Sequence, residues 1–295
     1  MGRRMILFLL ALVLFTLPPL SAQEARPSWP KRVLITNDNG LTDPKIVALA
    51  LAFAPHAETW VVAPAENRSG SSHYLSASQS GQLVSAPRDL GPGIRAWAVN
   101  GYPADCVLLA LFGIMQGAPP DLVISGINGG PNLAHDWLGS GTIGAARMAA
   151  YAGFPAVAVS GLDDDIPGAV EAATRWVVGL AQSPAVRQLK PGQYLTVSMP
   201  RIQPSKIRGV RVARRAGLLL RISFATADAA GNQQVWKLAT TSLDPSSSPG
   251  RDAALYAAGY IVVVPMRADE HEDEDFLRRL ATQDLLPPWT VPVGR

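Results

Sequence analysis

The sequence has a single cysteine, Cys106. A chain with one thiol forms no internal disulfide, so its core alone must hold it together. Cys106 lies in the apolar stretch 106–111 and reads as a buried, inert thiol rather than a nucleophile. Histidine is scarce as well, with four residues in 295. A strong charge of either sign is missing: the formal net charge is +3. Arg3 and Arg4 leave with residues 1–22 and no acid leaves with them, so the remainder carries +1. Bulk charge therefore argues against a nucleic-acid polymer or an anionic membrane as partner.

One long apolar run is present, Met5 to Leu17. It follows Arg3-Arg4 and precedes Pro18-Pro19 and the small pair Ser21-Ala22. This is the pattern of a secretory signal peptide over residues 1–22, cleaved after Ala22, and it predicts an exported, periplasmic protein. The alternative is a permanent anchor, but the run is short for a span of about 20 residues. No stable membrane span is expected after cleavage.

The full sequence is 48% hydrophobic, ample for one large α/β domain with an extension. Residues 23–31 read as a polar, Pro-rich tail, 32–267 as the main domain and 268–295 as a C-terminal helix and tail. Short apolar runs alternate with helical stretches. Strands are expected at 33–36, 59–63, 121–125, 156–160, 194–199 and 259–265. Helices are expected at 105–115, 144–152, 168–181 and 270–286, and one opened by Asp43 as N-cap with Pro44 at the first helical position. Such short, continuously apolar strands belong to a mostly parallel sheet covered on both faces. Residues 209–212, 218–224 and 234–238 read as an antiparallel ribbon within an extension spanning about 208–240.

In a parallel α/β sheet, ligands sit beyond the carboxyl ends of the strands. Polar residues follow the strands here: Asn37, Asp38, Asn39 and Gly40; then Asn67, Ser69, Gly70 and His73; then Asn128 and Asn132; then Gly139-Ser140-Gly141-Thr142 ahead of a helix. These are hard oxygen donors with almost no His and no Cys, a set that favours Mg²⁺, Mn²⁺ or Ca²⁺ over zinc. Gly-Ser-Gly-Thr at a helix N-terminus suits an anion. A divalent cation beside an anion site points to phosphate-ester chemistry.

The stretches RVLITNDNG, VVAPAENRSGSSH, Gly101-x-Pro103-x-Asp105-Cys106-Val107, DLVISGINGGPNLAHDWLGSGTIGAA and IVVVP resemble the SurE family of 5′/3′-nucleotidases, from about Val33 to Pro265. The resemblance implies a three-layer α/β/α Rossmann-like fold with a C-terminal β-hairpin and helix extension. It implies a divalent cation, Mg²⁺ or Mn²⁺, held by Asp38, Asn39, Ser69 and Asn128. It implies nucleoside monophosphates as substrates, with Asp38, Asn132, Ser140 and Thr142 as the catalytic set and Gly40, Gly70, His73 and Gly141 at the phosphate. His73 is expected in proton transfer or phosphate contact. A homodimer or homotetramer is expected, with the hairpin and helix serving subunit exchange.

The chain departs from the family at Asn39, where a second acid is usual. The change keeps an oxygen donor and removes a charge, so weaker metal binding is expected. Two other readings follow: a nucleotide- or phosphate-binding protein without catalysis, and a broad acid phosphatase or polyphosphatase. Tyr102, Trp137, Gly139 and Thr196-Val197-Ser198 are further departures, and the wall near residues 137–139 is expected to be reshaped.

Overall fold

The computed structural model describes residues 29–162, 165–217, 220–230, 233–242, 244–268 and 272–290. The signal peptide read at 1–22 and most of the tail that follows lie outside the described residues. Among them, no helix is long and apolar enough to cross a membrane.

Among the described residues, eleven strands and eight α-helices follow one another. They run β1 Arg32–Thr36, α1 Pro44–Phe53, β2 Glu58–Pro64, α2 Ala77–Ser80, β3 Ser85–Arg88, β4 Ile94–Val99, α3 Pro103–Leu109, β5 Leu122–Asn128, α4 Gly141–Tyr151, β6 Ala156–Ser160, α5 Ala169–Gln182, α6 Pro184–Arg187, β7 Gln193–Ser198, β8 Val210–Val212, β9 Leu220–Ala230, β10 Gln233–Ser242, α7 Asp252–Ala257, β11 Ile261–Arg267 and α8 Glu274–Thr282.

Nine strands form one sheet in the order β3-β4-β2-β1-β5-β6-β7-β11-β8. Pairing is parallel from β4 through β7. Only β3 against β4 and β11 against β7 are antiparallel. Alternate side chains feed two cores, as the two-residue period of a strand demands. Val33 and Ile35 of β1 pack with α1, α5 and α8, including Leu49, Trp176 and Phe276. Leu34 points the other way and packs with α3 and α4, including Cys106 and Ile143. The protein is therefore a three-layer α/β/α sandwich with a mostly parallel sheet.

The order places the switch point. The chain moves from β1 to β2 and β4 on one side, then returns to lay β5, β6 and β7 on the other. In such sheets the usual ligand position lies beyond the carboxyl ends of the strands flanking the switch point, here β1 and β5. The strand ends are polar there: Thr36 is the register partner of Ser125, Asn128 of Ser160, and Ser160 of Ser198.

Several elements differ from expectation. β3 and β4 were not anticipated. They lie at the sheet edge, and Trp97 and Arg95 are only partly covered. β8 is no part of a ribbon; it pairs parallel with β11 in the main sheet. The ribbon is β9 with β10, a separate two-stranded antiparallel sheet. Ile222, Phe224, Trp236 and Leu238 share one face of it and are 51 to 60% exposed. α4 starts at Gly141 rather than 144, because Ser140 caps it by accepting from Ile143 N at 3.1 Å. α8 begins only at Glu274, where Asp273 accepts from Phe276 N at 2.8 Å.

One close approach fixes how α4 meets the loop after β2. A Cβ on Gly144 would lie 2.0 Å from the Ser72 carbonyl oxygen. Gly144→Ala is expected to cost on the order of 3 kcal/mol by overpacking. The check is the urea midpoint, which should fall with an unchanged slope; a native midpoint would mean that the loop is free to leave the helix.

Candidate active site at the end of the central strands

Asp38 follows β1 directly and is buried. Its Oδ1 accepts from Thr142 Oγ1 at 2.7 Å and its Oδ2 from Thr142 N at 3.1 Å. The carboxylate thus sits on the first turn of α4, where the helix dipole favours negative charge. A Cβ on Gly141 would lie 2.8 Å from Asp38 Cβ, so only glycine lets helix and carboxylate meet this closely. Burial pushes the Asp38 carboxyl above its usual range, against the two Thr142 hydrogen bonds, which favour the ionised form.

The loop after β1 is closed internally. Asn37 Nδ2 donates to Gly40 O at 2.9 Å and Gly40 N donates to Asn37 Oδ1 at 3.2 Å. Gly40 has φ 100°, and a Cβ there would strike the Glu66 backbone at 2.9 Å. Arg68 N donates to Asp38 O at 2.7 Å, drawing the loop after β2 over the site. Asn39 is the notable member. Its Oδ1 is buried and accepts no hydrogen bond. A buried acceptor without a partner calls for an explanation, and a bound cation is one.

Asn128 ends β5. Its Nδ2 donates to Gly130 O at 2.7 Å, which leaves its oxygen as the atom to ligate. Asn132 Nδ2 gives one hydrogen to Ser160 Oγ at 2.7 Å and keeps a second. Ser69 is exposed, and its N–H closes a turn on Asn67 Oδ1 at 2.7 Å. Gly70 has φ 77° and open space around it. The structure therefore gathers Asp38, Asn39, Gly141 and Thr142 tightly, sets Asn128 and Asn132 on the neighbouring strand end, and leaves Ser69 and Gly70 on the outer rim.

Two roles read from the sequence need correction. Thr142 was placed in the catalytic set. Its hydroxyl and N–H are both spent on Asp38, so it positions the carboxylate instead. His73 was expected in proton transfer or phosphate contact. Its Nδ1 meets Arg147 Nε at 2.9 Å and Arg147 Nη2 at 2.6 Å. Guanidinium nitrogens only donate, so Nδ1 must accept and the proton of the neutral ring sits on Nε2. Burial, and secondarily the Arg147 charge, lower the His73 pKa to about 4. A ring protonated at Nε2 and blocked at Nδ1 has no basic nitrogen to offer. In this pairing Nδ1 is engaged by Arg147, and the Nε2–H is the group His73 has left for a phosphate contact.

Sequence reasoning missed the supports. Asp105 ties the segment beyond His73 to α3, accepting from Ser76 Oγ at 2.7 Å, Ser76 N at 3.1 Å and Tyr102 N at 2.9 Å. Asp252 holds the loop ahead of α4, accepting from Ala134 N at 2.8 Å and Ala216 N at 2.6 Å. Arg215 stacks on Trp137 in that loop with 4.9 Å to the ring centroid, so the wall near 137–139 is built from an aromatic and a cation. Ser71, whose Oγ is buried without a partner, also went unremarked.

The donor set fits a hard divalent cation. It offers one carboxylate, the orphaned Asn39 oxygen and the Asn128 oxygen, all hard ligands. Among the described residues no three of His, Cys, Asp or Glu gather as a metal group, so the softer metals have no cluster to occupy.

Comparison with known proteins agrees with this geometry. The family model described as Survival protein SurE matches residues 33–218. A 5′-nucleotidase SurE of Cereibacter sphaeroides is 38% identical over 258 residues, covering 81% of this chain and 94% of the relative. A 5′/3′-nucleotidase SurE of Serratia proteamaculans is 34% identical over 267 residues, covering 89% and 98%. The crystal structure of the SurE protein from Aquifex aeolicus superposes with a TM-score of 0.68 at 28% identity, covering 81% of this chain and 94% of that one. With a buried Asp38 on the first turn of α4 at the β1/β5 switch point, and matches of this extent, the chain belongs to the SurE family.

Proposed function

We propose that this protein hydrolyses nucleoside monophosphates to nucleoside and phosphate, using a divalent cation. The observation that carries the reading is the Asp38 carboxylate fixed on the α4 N-terminus beside the orphaned Asn39 oxygen. The nucleotidase relatives named above supply the substrate class. Asp38, Asn39 and Asn128 are the residues to hold the cation, with Ser69 at the rim, and Mg²⁺ or Mn²⁺ suits such donors. A cation held there supplies Lewis-acid polarisation of the phosphoryl group and a more acidic water.

The chain's own residues do the rest. Thr142 keeps Asp38 in one orientation. Ser140 Oγ accepts from Ile143 N and keeps its own hydrogen for a phosphoryl oxygen. Two N–H groups of the first turn are engaged, Thr142 by Asp38 and Ile143 by Ser140, which leaves the Gly141 N–H for the anion. Asn132 adds its second N–H. Such preorganised donors are each worth on the order of 10²–10³ in rate. The oxygen of water bonds to phosphorus, the bond from phosphorus to the nucleoside oxygen breaks, and one proton of the water ends on that oxygen, giving the nucleoside hydroxyl and phosphate.

A second reading is a binder without turnover, favoured by the single carboxylate at residue 39's neighbour. Phosphate release from 5′-AMP and 3′-AMP across Mg²⁺ and Mn²⁺ titrations separates the two. Asp38→Ala is expected to lower kcat/KM by on the order of a thousandfold, the loss of several kcal/mol of metal-assisted stabilisation. Asn39→Asp is expected to halve-saturate at about tenfold less metal, since it restores an anionic ligand. An inert native chain with an active Asn39→Asp variant selects the binder.

His73 gives a pH prediction. Its folded pKa of about 4 lies below the ordinary 6.5. Protonation therefore favours the unfolded chain: the stability His73 contributes is complete above pH 6.5 and is lost as pH falls toward 4. NMR should show the His73 ring titrating near 4, and higher in Arg147→Gln. A midpoint near 6.5 in the native protein would reject the pairing as drawn.

The finer proposals are export and self-association. The Arg3-Arg4 and Met5–Leu17 pattern supports delivery to the periplasm, where a nucleotidase serves nucleotide or phosphate scavenging. The exposed apolar face of the β9–β10 ribbon supports a homodimer or homotetramer. Protein recovered from the periplasmic fraction should elute as a dimer or larger, and Phe224→Ser with Trp236→Ser should return it to monomer. Recovery in the cytoplasm, or a native monomer, overturns the corresponding part.

A further inference from the structure

Ser71 lies on the loop between β2 and α2. Its Oγ is buried and has no hydrogen-bond partner. Its place is set by Gly141: a Cβ built there would lie 2.8 Å from Ser71 Oγ and 3.1 Å from Asp38 Oδ2. The hydroxyl therefore borders both the site carboxylate and the first residue of α4.

The neighbours fix it in that position. Ser72 has φ 52°, a conformation disfavoured for a residue with a side chain, and such outliers cluster at functional sites. Ser72 is gripped from two sides. Its N–H donates to Gly139 O at 2.9 Å, and its carbonyl lies against Gly144. His73 is clamped in turn by Arg147 at 2.6 and 2.9 Å. A segment this constrained presents an orphan hydroxyl at the N-terminus of an eleven-residue helix. Leaving a buried hydroxyl unpaired is unfavourable, and strained backbone persists only where the surroundings over-determine it.

We propose that Ser71 is a substrate-contacting residue: its Oγ–H donates to a non-bridging oxygen of the phosphoryl group seated beside Ser140 and Gly141. The assignment rests on the phosphomonoester reading of the site. Ser69, exposed at the rim, does not share this position. Ser71 stays a neutral donor throughout and forms no bond to phosphorus.

Inorganic phosphate is the probe. The thermal midpoint of native chain, Ser71→Ala and Ser71→Thr is followed as phosphate is added, with and without Mg²⁺, which converts to an affinity for each. AMP turnover is measured on the same samples. Ser71→Ala is expected to bind phosphate about tenfold more weakly, the size of one hydrogen bond to a charged group, and to lose a similar factor in kcat/KM. Without phosphate its midpoint should equal or exceed the native one, because an orphan hydroxyl has been removed. Ser71→Thr keeps the hydroxyl and should bind phosphate within about twofold of native, a loss well below that of one hydrogen bond. Native phosphate affinity in Ser71→Ala overturns the assignment, and so does a lowered phosphate-free midpoint with unchanged affinity, which would show a structural hydroxyl or one satisfied by internal water. A native chain that neither binds phosphate nor hydrolyses AMP fails the parent reading, and this assignment with it.

Discussion

The site is organised around one buried negative charge resting on a helix end. Asp38 is taken out of water by the strands and helices around it, and burial alone disfavours its ionised form. The Thr142 N–H and hydroxyl offset that cost, and the α4 dipole adds to them. For this to work, helix and strand end must approach within van der Waals contact. Glycine at 141 permits it, and glycine at 144 lets the loop after β2 lie on the same helix face. The chemistry at residue 38 and the packing of α4 are thus one arrangement, and neither changes without the other.

The loops around Asp38 show how such a site is held in place without an internal disulfide. Each is tied at its far end by a buried carboxylate that accepts backbone N–H groups, Asp105 for the segment beyond His73 and Asp252 for the one ahead of α4. Carboxylates bonded in this way are strong, directional anchors. They lie away from the reacting atoms, yet they set the height of both walls.

Much of the frame was legible in the sequence. β1, β5, β6 and α1 could be read because their signals are local: an unbroken apolar run for each strand, an Asp43-Pro44 cap for the helix. β4 was missed because, beside the four-residue edge strand β3, it is partly solvated and carries Arg95 among its apolar residues. β8 has three residues, too few to show that it pairs with β11 rather than with the ribbon. At the site, residue types were legible but directions were not. Thr142 carries the right hydroxyl for a phosphate, and only the docking of α4 on β1 turns it toward Asp38. His73 looked like a base, and only tertiary structure brings Arg147, 74 positions away, onto its ring. Ser71 had no signal in the sequence; its meaning comes from burial and from the absence of a partner.

The lone thiol has a consequence for where this fold can exist. Cys106 is fully buried under α3 and α4, and burial pushes its pKa well above the usual thiol value. Both burial and the raised pKa disfavour the thiolate, the form that oxidants attack. Nothing in the covalent structure then depends on an oxidising or a reducing surrounding. With one cysteine the fold contains no intramolecular disulfide, so completing it calls for no disulfide-forming machinery.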